Sequence, residues 1–264
     1  MKGKVILITG ASSGIGLALA KEFARQGSRL VIGARNTEAL EKLKSELLQL
    51  GSPAVITAGL DVTQPQSCAA FVDVAVSQLG RIDVLVNNAG IGMVGAFDQA
   101  EFEPMHRVMD VNYWGTVYCS RYALPHLIQS KGSLVGISSI AGHVGLPGGA
   151  AYSSSKFAME GLLATIRNEN LHLGLHVLAA SPGFTESSIR ENAFDAHGNR
   201  RDNSGRPGMT KMMTAERCAT LVYKAIVARK RNLVLTRQGI LAVLLNKFVP
   251  WFVDNRLNQA FNKK

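Results

Sequence analysis

Residues 5–16 read Val5-Ile6-Leu7-Ile8-Thr9-Gly10-Ala11-Ser12-Ser13-Gly14-Ile15-Gly16. Four aliphatic residues in a row, with no polar alternation, predict a strand covered on both faces. Glycines follow at once, and a helical segment, Ile15–Gln26, opens behind them. Such a strand–turn–helix junction suits an anion. Glycine lets the backbone turn tightly and approach closely, and the helix N-terminus carries positive partial charge. The ligand it fits is a pyrophosphate, held by Gly10, Ser12, Ser13, Gly14, Ile15 and Gly16. The spacing G-x-x-x-G-x-G differs from the more familiar G-x-G-x-x-G, and alone it also fits a purely structural turn.

The alternation continues along the chain. Short β-branched or aliphatic runs predict further strands at Leu30–Gly33, Ala54–Thr57, Val84–Asn87, Ser133–Ile137, His176–Ala180 and Leu233–Thr236. Helical segments fall between them at Thr37–Leu50, Gln66–Leu79 and Met105–Gln129. Repeated β-α units with right-handed crossovers imply a single α/β domain over residues 1–264. Its core is a doubly wound, Rossmann-type parallel sheet with helices on both faces. The rhythm breaks at residues 184–214, which gather Asn, Gly, Arg and Asp and then Met209, Met212 and Met213. This stretch follows a strand end, where open sheets bind ligands, and reads either as a substrate lid or as a variable surface loop.

With 47% hydrophobic and 18% charged residues, the 264-residue chain can bury a large core, which excludes a disordered or low-complexity protein. Its net charge of +10 is uneven. Residues 229–264 hold eight basic side chains against Asp254 alone, while the rest of the chain is close to balance. A nucleic-acid-binding body would spread its cations over one face of the fold, so no nucleic-acid partner is expected. The three cysteines, Cys68, Cys119 and Cys218, are too few and too scattered for a disulfide framework or a zinc site, and no metal is expected. The apolar run Val5–Ile8 is too short for a signal-peptide core, and no stretch is long and apolar enough to span a bilayer. These features predict a cytoplasmic protein.

The end of the second strand reads Gly33-Ala34-Arg35-Asn36. A carboxylate here would accept hydrogen bonds from the ribose hydroxyls of NAD, but would repel the 2′-phosphate of NADP. This chain has Ala34 in that place and the Arg35 guanidinium beside it, which favours NADP(H) over NAD(H). Asp61 and Val62, after the third strand, fit the adenine amine. Farther on, Tyr152 and Lys156 stand four residues apart on a predicted helix and share a face. A cation beside a phenol lowers its pKa from about 10, which makes the pair a proton shuttle for a carbonyl or an alcohol. Alone, Y-x-x-x-K also describes an ordinary helix surface.

Taken together, these motifs resemble the short-chain dehydrogenase/reductase family over nearly the full length of the chain. The resemblance rests on the loop Thr9–Gly16, Asn87-Asn88-Ala89-Gly90 and Asn112-Tyr113-Trp114-Gly115. It is completed by Ser139 thirteen residues before Tyr152, Lys156, and Pro182-Gly183 after the sixth strand. It implies an oxidoreductase in which Tyr152 is the general acid/base, Lys156 holds the nicotinamide ribose and Ser139 binds the substrate oxygen. Asn112 would join a proton relay. Asn88, Ala89 and Gly90 would line the adenosine side, and Pro182 and Gly183 would pass the nicotinamide. The family pattern P-G-x-V-x-T here reads Pro182-Gly183-Phe184-Thr185-Glu186-Ser187, so either Thr185 or Ser187 would meet the carboxamide. The resemblance also implies a homodimer or homotetramer paired near residues 105–129 and 152–172. A sensor or scaffold that binds NADP(H) without turnover is the alternative, and the complete set Asn112, Ser139, Tyr152 and Lys156 counts against it.

Substrate would meet Phe184 and the loop Ala141–Gly149, which is small and apolar apart from His143. His143 either contacts substrate or is an exposed loop residue. A loop without Lys or Arg, and methionines in the lid, favour a lipophilic alcohol or ketone. In the tail, 237–264, Leu241, Leu244, Leu245, Phe248 and Phe252 recur at helical spacing, interrupted by Pro250 and flanked by Arg237, Lys247 and Arg256. This basic amphipathic extension either packs on protein or rests on an anionic membrane as a peripheral contact, as in the membrane-associated hydroxysteroid dehydrogenases whose ends it resembles.

Overall fold

The computed structural model describes residues 1–186, 189, 193–201 and 212–262. Among them, seven strands form one parallel sheet: β1 (Val5–Thr9), β2 (Arg29–Ala34), β3 (Val55–Gly59), β4 (Val84–Asn87), β5 (Ser133–Ile137), β6 (His176–Ser181) and β7 (Asn232–Val234). Their order is β3-β2-β1-β4-β5-β6-β7. The chain builds outward from β1 to one edge, then returns to lay β4 on the other side of β1. Leu7 is therefore level with Val31 of β2 and with Leu85 of β4. This reversal leaves a crevice beyond the carboxyl ends of β1 and β4.

The unbroken aliphatic runs are explained by burial on both faces. Ile6, Ile8, Leu30, Ile32, Val86 and Val135 point to the layer of α1 (Gly14–Arg25), α2 (Thr37–Gln49) and a later helix, α7 (Ala215–Val227). Val5, Leu7, Val31, Leu85, Leu134 and Val177 point to the layer of α3 (Pro65–Leu79), α5 (Gly115–Gln129) and α6 (Ala150–Asn170). Local signals set the helix ends. Asn36 caps α2 by accepting from Ala39 N at 2.9 Å, and Pro65 begins α3 where no intrahelical donor is required. At the amino ends of β1 and β4, the buried Asp83 carboxylate accepts from Val5 N at 3.0 Å, Lys4 Nζ at 2.9 Å, and Arg81 at 2.7 and 3.0 Å.

The segment expected as one helix, Met105–Gln129, is divided. The short helix α4 (Phe102–Met109) passes through a π-helical turn, Asp110–Trp114, into α5. Such turns recur at functional sites. Here the turn carries Asn112, and the glycine that follows it packs closely, since a Cβ on Gly115 would stand 2.8 Å from Val62. β7 ends two residues before the expected Thr236. That threonine adopts a positive φ of 67° and instead caps α8 (Arg237–Phe248), accepting from Gly239 N at 3.0 Å. Pro250 ends the run and starts α9 (Pro250–Asn262), as its missing N–H dictates.

Candidate active site

A cavity of about 2080 Å³ opens at the carboxyl ends of the strands, more than an ordinary drug-sized ligand fills. Its floor on one side is the glycine loop. Gly10 has φ +66°, and a Cβ there would stand 2.8 Å from Ala89 Cα. A Cβ on Gly16 would collide with the Gly10 carbonyl and the Asn88 amide. The loop is thus pressed against the end of β4, and the Asn88 side chain ties the two together by donating to Thr9 O at 3.0 Å and Gly10 O at 3.1 Å. Thr9 Oγ1 accepts from Asn88 N and Ala89 N, each at 3.0 Å. This cradle, with its Cβ-free approach to the helix N-terminus, fits the pyrophosphate of a dinucleotide. Arg35 is exposed at the cavity wall beyond Ala34. Asp61 lies on the same wall, its carboxylate turned to its own loop by accepting from Thr63 N and Thr63 Oγ1.

The chemistry-bearing side chains meet at the end of β5. Ser139 follows the strand, accepts from Ala141 N at 3.2 Å and hydrogen-bonds to Tyr152. The α6 turn that carries Tyr152 brings Lys156 beneath it, with Nζ 5.7 Å from the phenol ring centroid. Lys156 is 1% exposed and donates to Ile137 O at 2.9 Å. Burial lowers its pKa from 10.5 to about 8, against the opposing pull of the Glu160 carboxylate. The phenol departs from the sequence expectation. Burial raises the Tyr152 pKa above its ordinary value, and the bond with Ser139 opposes this without reversing it.

Most residues singled out from the sequence line this one cavity: Gly10, Ser12, Ser13, Ile15, Arg35, Asp61, Val62, Asn88, Ala89, Gly90, Ser139, Tyr152, Lys156, Pro182, Gly183, Phe184 and Thr185. Gly14, with φ +54°, and Gly16, packed on the Gly10 carbonyl, are not in the cavity lining. Asn112 stands outside the cavity lining. Its side chain accepts from Ile91 N at 2.8 Å and donates to Ile91 O and Ser155 Oγ, each at 3.0 Å, so it braces the π turn against α6 and the β4 loop. His143 is not in the cavity lining. Its Nε2 stands 2.9 Å from Ser181 Oγ and 3.3 Å from a Glu160 carboxylate oxygen. Thr185 donates to Gly183 O at 3.2 Å. Ser187 and Met209 lie outside the described residues, as does much of the stretch read as a lid.

Sequence reading missed the far wall. Leu257, Ala260 and Phe261 of α9 line the cavity, and Phe261 lies 3.4 Å from where a Gly148 Cβ would be. Val253, Leu257, Ala260 and Phe261 recur at helical spacing, a signal that was present in the tail. Phe194 also reaches the cavity. Its backbone pairs with Gly92 and Val94, and Arg107 lies 4.4 Å above its ring.

A family model described as short chain dehydrogenase matches residues 4–198. The chain belongs to that family, whose members are NAD(P)-dependent oxidoreductases acting on CH–OH and C=O groups. It is 37% identical to 11-beta-hydroxysteroid dehydrogenase 1A of Arabidopsis thaliana over 235 residues, 87% of this chain and 67% of that one. A second Arabidopsis relative, 11-beta-hydroxysteroid dehydrogenase-like 2, is 34% identical over 98% of this chain and 82% of its own. Among solved structures, a short-chain dehydrogenase/reductase from Burkholderia phymatum in complex with NAD superposes with a TM-score of 0.83 at 26% identity, covering 93% of each chain. An archaeal alcohol dehydrogenase from Thermococcus sibiricus, complexed with 5-hydroxy-NADP, gives 0.78 at 28% identity over 89% of this chain and 96% of that one. Bound NAD and an NADP derivative in these neighbours support a nicotinamide dinucleotide as cofactor. Among the described residues no helix is long and apolar enough to cross a membrane.

Proposed function

We propose that the protein is an NADP(H)-dependent oxidoreductase that interconverts a lipophilic secondary alcohol and its ketone, with Tyr152 as general acid/base. The observation that carries this reading is the meeting of Ser139, Tyr152 and Lys156 on the wall of the cavity that also runs past the glycine loop. Bound nicotinamide supplies or accepts the hydride. In reduction, Ser139 donates to the substrate oxygen and Tyr152 gives that oxygen its phenolic proton. The Lys156 charge stabilises the phenolate left behind. A phenol held above its ordinary pKa is fully protonated at neutral pH and suits the donor role.

NADP(H) preference follows from Arg35 and Ala34, since the end of β2 offers a cation and no carboxylate. The lipophilic substrate follows from Ile91, Met93, Leu146, Phe184, Leu257 and Phe261, all on the cavity wall. The hydroxysteroid dehydrogenases among the relatives favour the same class. From the described parts of the stretch 184–214, Phe184, Phe194 and Met212 line the cavity, as a substrate lid would require. Trp114 and Tyr122 near and on α5, and Phe157 on α6, are exposed aromatics that suit pairing of a homodimer or homotetramer. The cytoplasmic protein rests on an anionic membrane through α8 and α9. Phe248 at 72% and Trp251 at 65% exposure supply the apolar contact, and Lys247 and Arg256 the charge.

Mixing the protein with NADPH or NADH and a panel of steroid and aliphatic ketones, and following loss of the reduced cofactor, tests the reaction. Tight NADPH binding without turnover of any ketone overturns it, and equal use of both cofactors overturns the preference. For the tail, Phe248→Ser with Trp251→Ser should abolish sedimentation with phosphatidylserine vesicles. Unchanged sedimentation, or none in the wild type, would end that assignment.

A further inference from the structure

Glu160 lies one turn beyond Lys156 on α6, so their side chains share the face of the helix that meets the end of β5. The Glu160 side chain is 17% exposed, and donors from other elements surround it. Ser181, at the end of β6, donates to Oε1 at 2.9 Å. His143, from the loop after β5, places Nε2 2.9 Å from the Ser181 hydroxyl and 3.3 Å from the same carboxylate oxygen. The cage is closed by a glycine. A Cβ on Gly142 would stand 2.8 Å from Ser138 Oγ, 3.0 Å from Lys156 O and 3.2 Å from Glu160 Cγ. The turn Ile140–Gly142 can therefore seat on the Lys156–Glu160 step of α6 only because residue 142 lacks a side chain. Asn246 of α8 fixes the loop from outside by donating to His143 O at 2.8 Å.

Neither Glu160, His143 nor Ser181 lines the cavity. A secluded carboxylate is costly unless polar neighbours satisfy it, and this one has the Ser181 hydroxyl and the His143 ring against the same oxygen. We propose that Glu160 is a positioning residue of the active site: its caged carboxylate, one helical turn from Lys156, keeps the Lys156 ammonium charged, and His143 and Ser181 serve Glu160 rather than substrate. This inference rests on the reading of Tyr152 and Lys156 as the proton-transfer pair.

The electrostatics agree with the geometry. Burial pushes the Glu160 carboxyl up, but the His143 hydrogen bond and field, with the Ser181 hydroxyl, outweigh it and hold the group below its ordinary value. Glu160 is thus ionised at neutral pH. Burial drives Lys156 down, and the Glu160 charge is what pushes it back towards the protonated form. The titratable neighbours of the pair are Tyr152, one turn back on α6, His143 on the β5–α6 loop, and Arg167, farther along α6, whose guanidinium also feels Glu160. Without Glu160 the ammonium would lose its proton nearer neutral pH, and the phenolate of Tyr152 would lose its countercharge.

The test reads Lys156 directly, by NMR titration of full-length protein carrying 13C-lysine, and in parallel by the pH profile of kcat/KM for NADPH-dependent ketone reduction. Glu160→Gln should move the Lys156 midpoint down by about one pH unit and carry the alkaline limb of the profile with it. Glu160→Asp should restore most of both. NADPH affinity at pH 6, where Lys156 is protonated in either protein, should change by less than about twofold. Glu160→Met keeps the side-chain length without a polar group and serves if the amide is not tolerated. An unchanged Lys156 midpoint in a folded Gln or Met variant overturns the proposal. So does failure of both to fold while Asp folds, which would assign Glu160 to the fold alone. If the wild type reduces no ketone, the reading of Tyr152 and Lys156 fails, while the Lys156 titration still decides the part played by Glu160.

Discussion

Lys156→Met tests the electrostatics of the site without a substrate. The wild-type ammonium is 1% exposed, and burial brings its pKa from 10.5 to about 8. A lysine whose pKa falls on folding costs the folded state free energy wherever the unfolded chain would be protonated. The unfolded chain binds the proton more tightly between about pH 8 and 10.5, so stability rises with pH across that window and the cost is full below it. Two and a half pKa units correspond to about 3 kcal/mol at pH 7, falling to about 1 kcal/mol by pH 10. Methionine is similar in length and carries no charge, so the variant lacks this dependence. The lost hydrogen bond to Ile137 O and any change in packing displace its curve by an amount that does not vary with pH. Between pH 7 and 10 the wild type should therefore gain about 2 kcal/mol relative to Lys156→Met. Urea denaturation of both proteins at a series of pH values measures the difference. Curves that stay parallel to within about 0.5 kcal/mol would refute the reasoning, because Lys156 would then not be titrating as a buried ammonium.

Four further outcomes are expected. Tyr152→Phe should lower kcat/KM for ketone reduction by a factor of about 10³ or more while NADPH affinity, read by fluorescence, stays nearly unchanged; retained turnover would remove Tyr152 from its role. Arg35→Glu should weaken NADPH by about tenfold or more and NADH much less, and an equal effect on both would refute the 2′-phosphate reading. Asp83→Asn should cost about 1–3 kcal/mol at pH 7. The Asp83 carboxyl is held below its ordinary value by Val5 N–H, Lys4 and Arg81, which outweigh its burial. Its stabilisation is therefore present above the ordinary carboxylate range and disappears as pH falls through the lower folded value, so the two denaturation curves should converge in acid. Leu257→Ala should raise KM for a lipophilic ketone by about five- to tenfold with little change in kcat, and an unchanged KM would remove α9 from the substrate wall.

Most of the site was legible because its parts are short, local and tied to the backbone. Gly10 and Gly16 announce a close approach that side chains forbid, and the contacts they leave room for, Ala89 and Asn88, belong to a motif read in the same pass. Tyr152 and Lys156 are one helical turn apart, so the helix alone places them together. The aliphatic strands were equally plain, since each is covered on both faces. The missed features share a different character. His143 reads from the sequence as either a substrate contact or an exposed loop residue, but the direction of its side chain is decided by Ser181 and Glu160, which lie 38 and 17 residues farther along the chain. No local pattern encodes that meeting.

The tail shows the same limit from the other side. The apolar stripe Leu241, Leu244, Leu245, Phe248 and Phe252, widened by Val253 among others, is largely exposed, with Val253 the member that is buried, whereas the residues that line the cavity, Leu257, Ala260 and Phe261, lie beyond it. Pro250 divides the segment into two helices, so one stripe drawn across both could not show which face each presents. The basic charge that marks the tail as separate from the rest of the chain therefore flanks a wall of the cavity. Helix α9 lines the cavity with one face and offers exposed aromatics and cations with another. Loss of α9 should accordingly alter substrate KM as well as surface binding, whereas loss of the exposed aromatics alone should leave KM for a soluble ketone as it was.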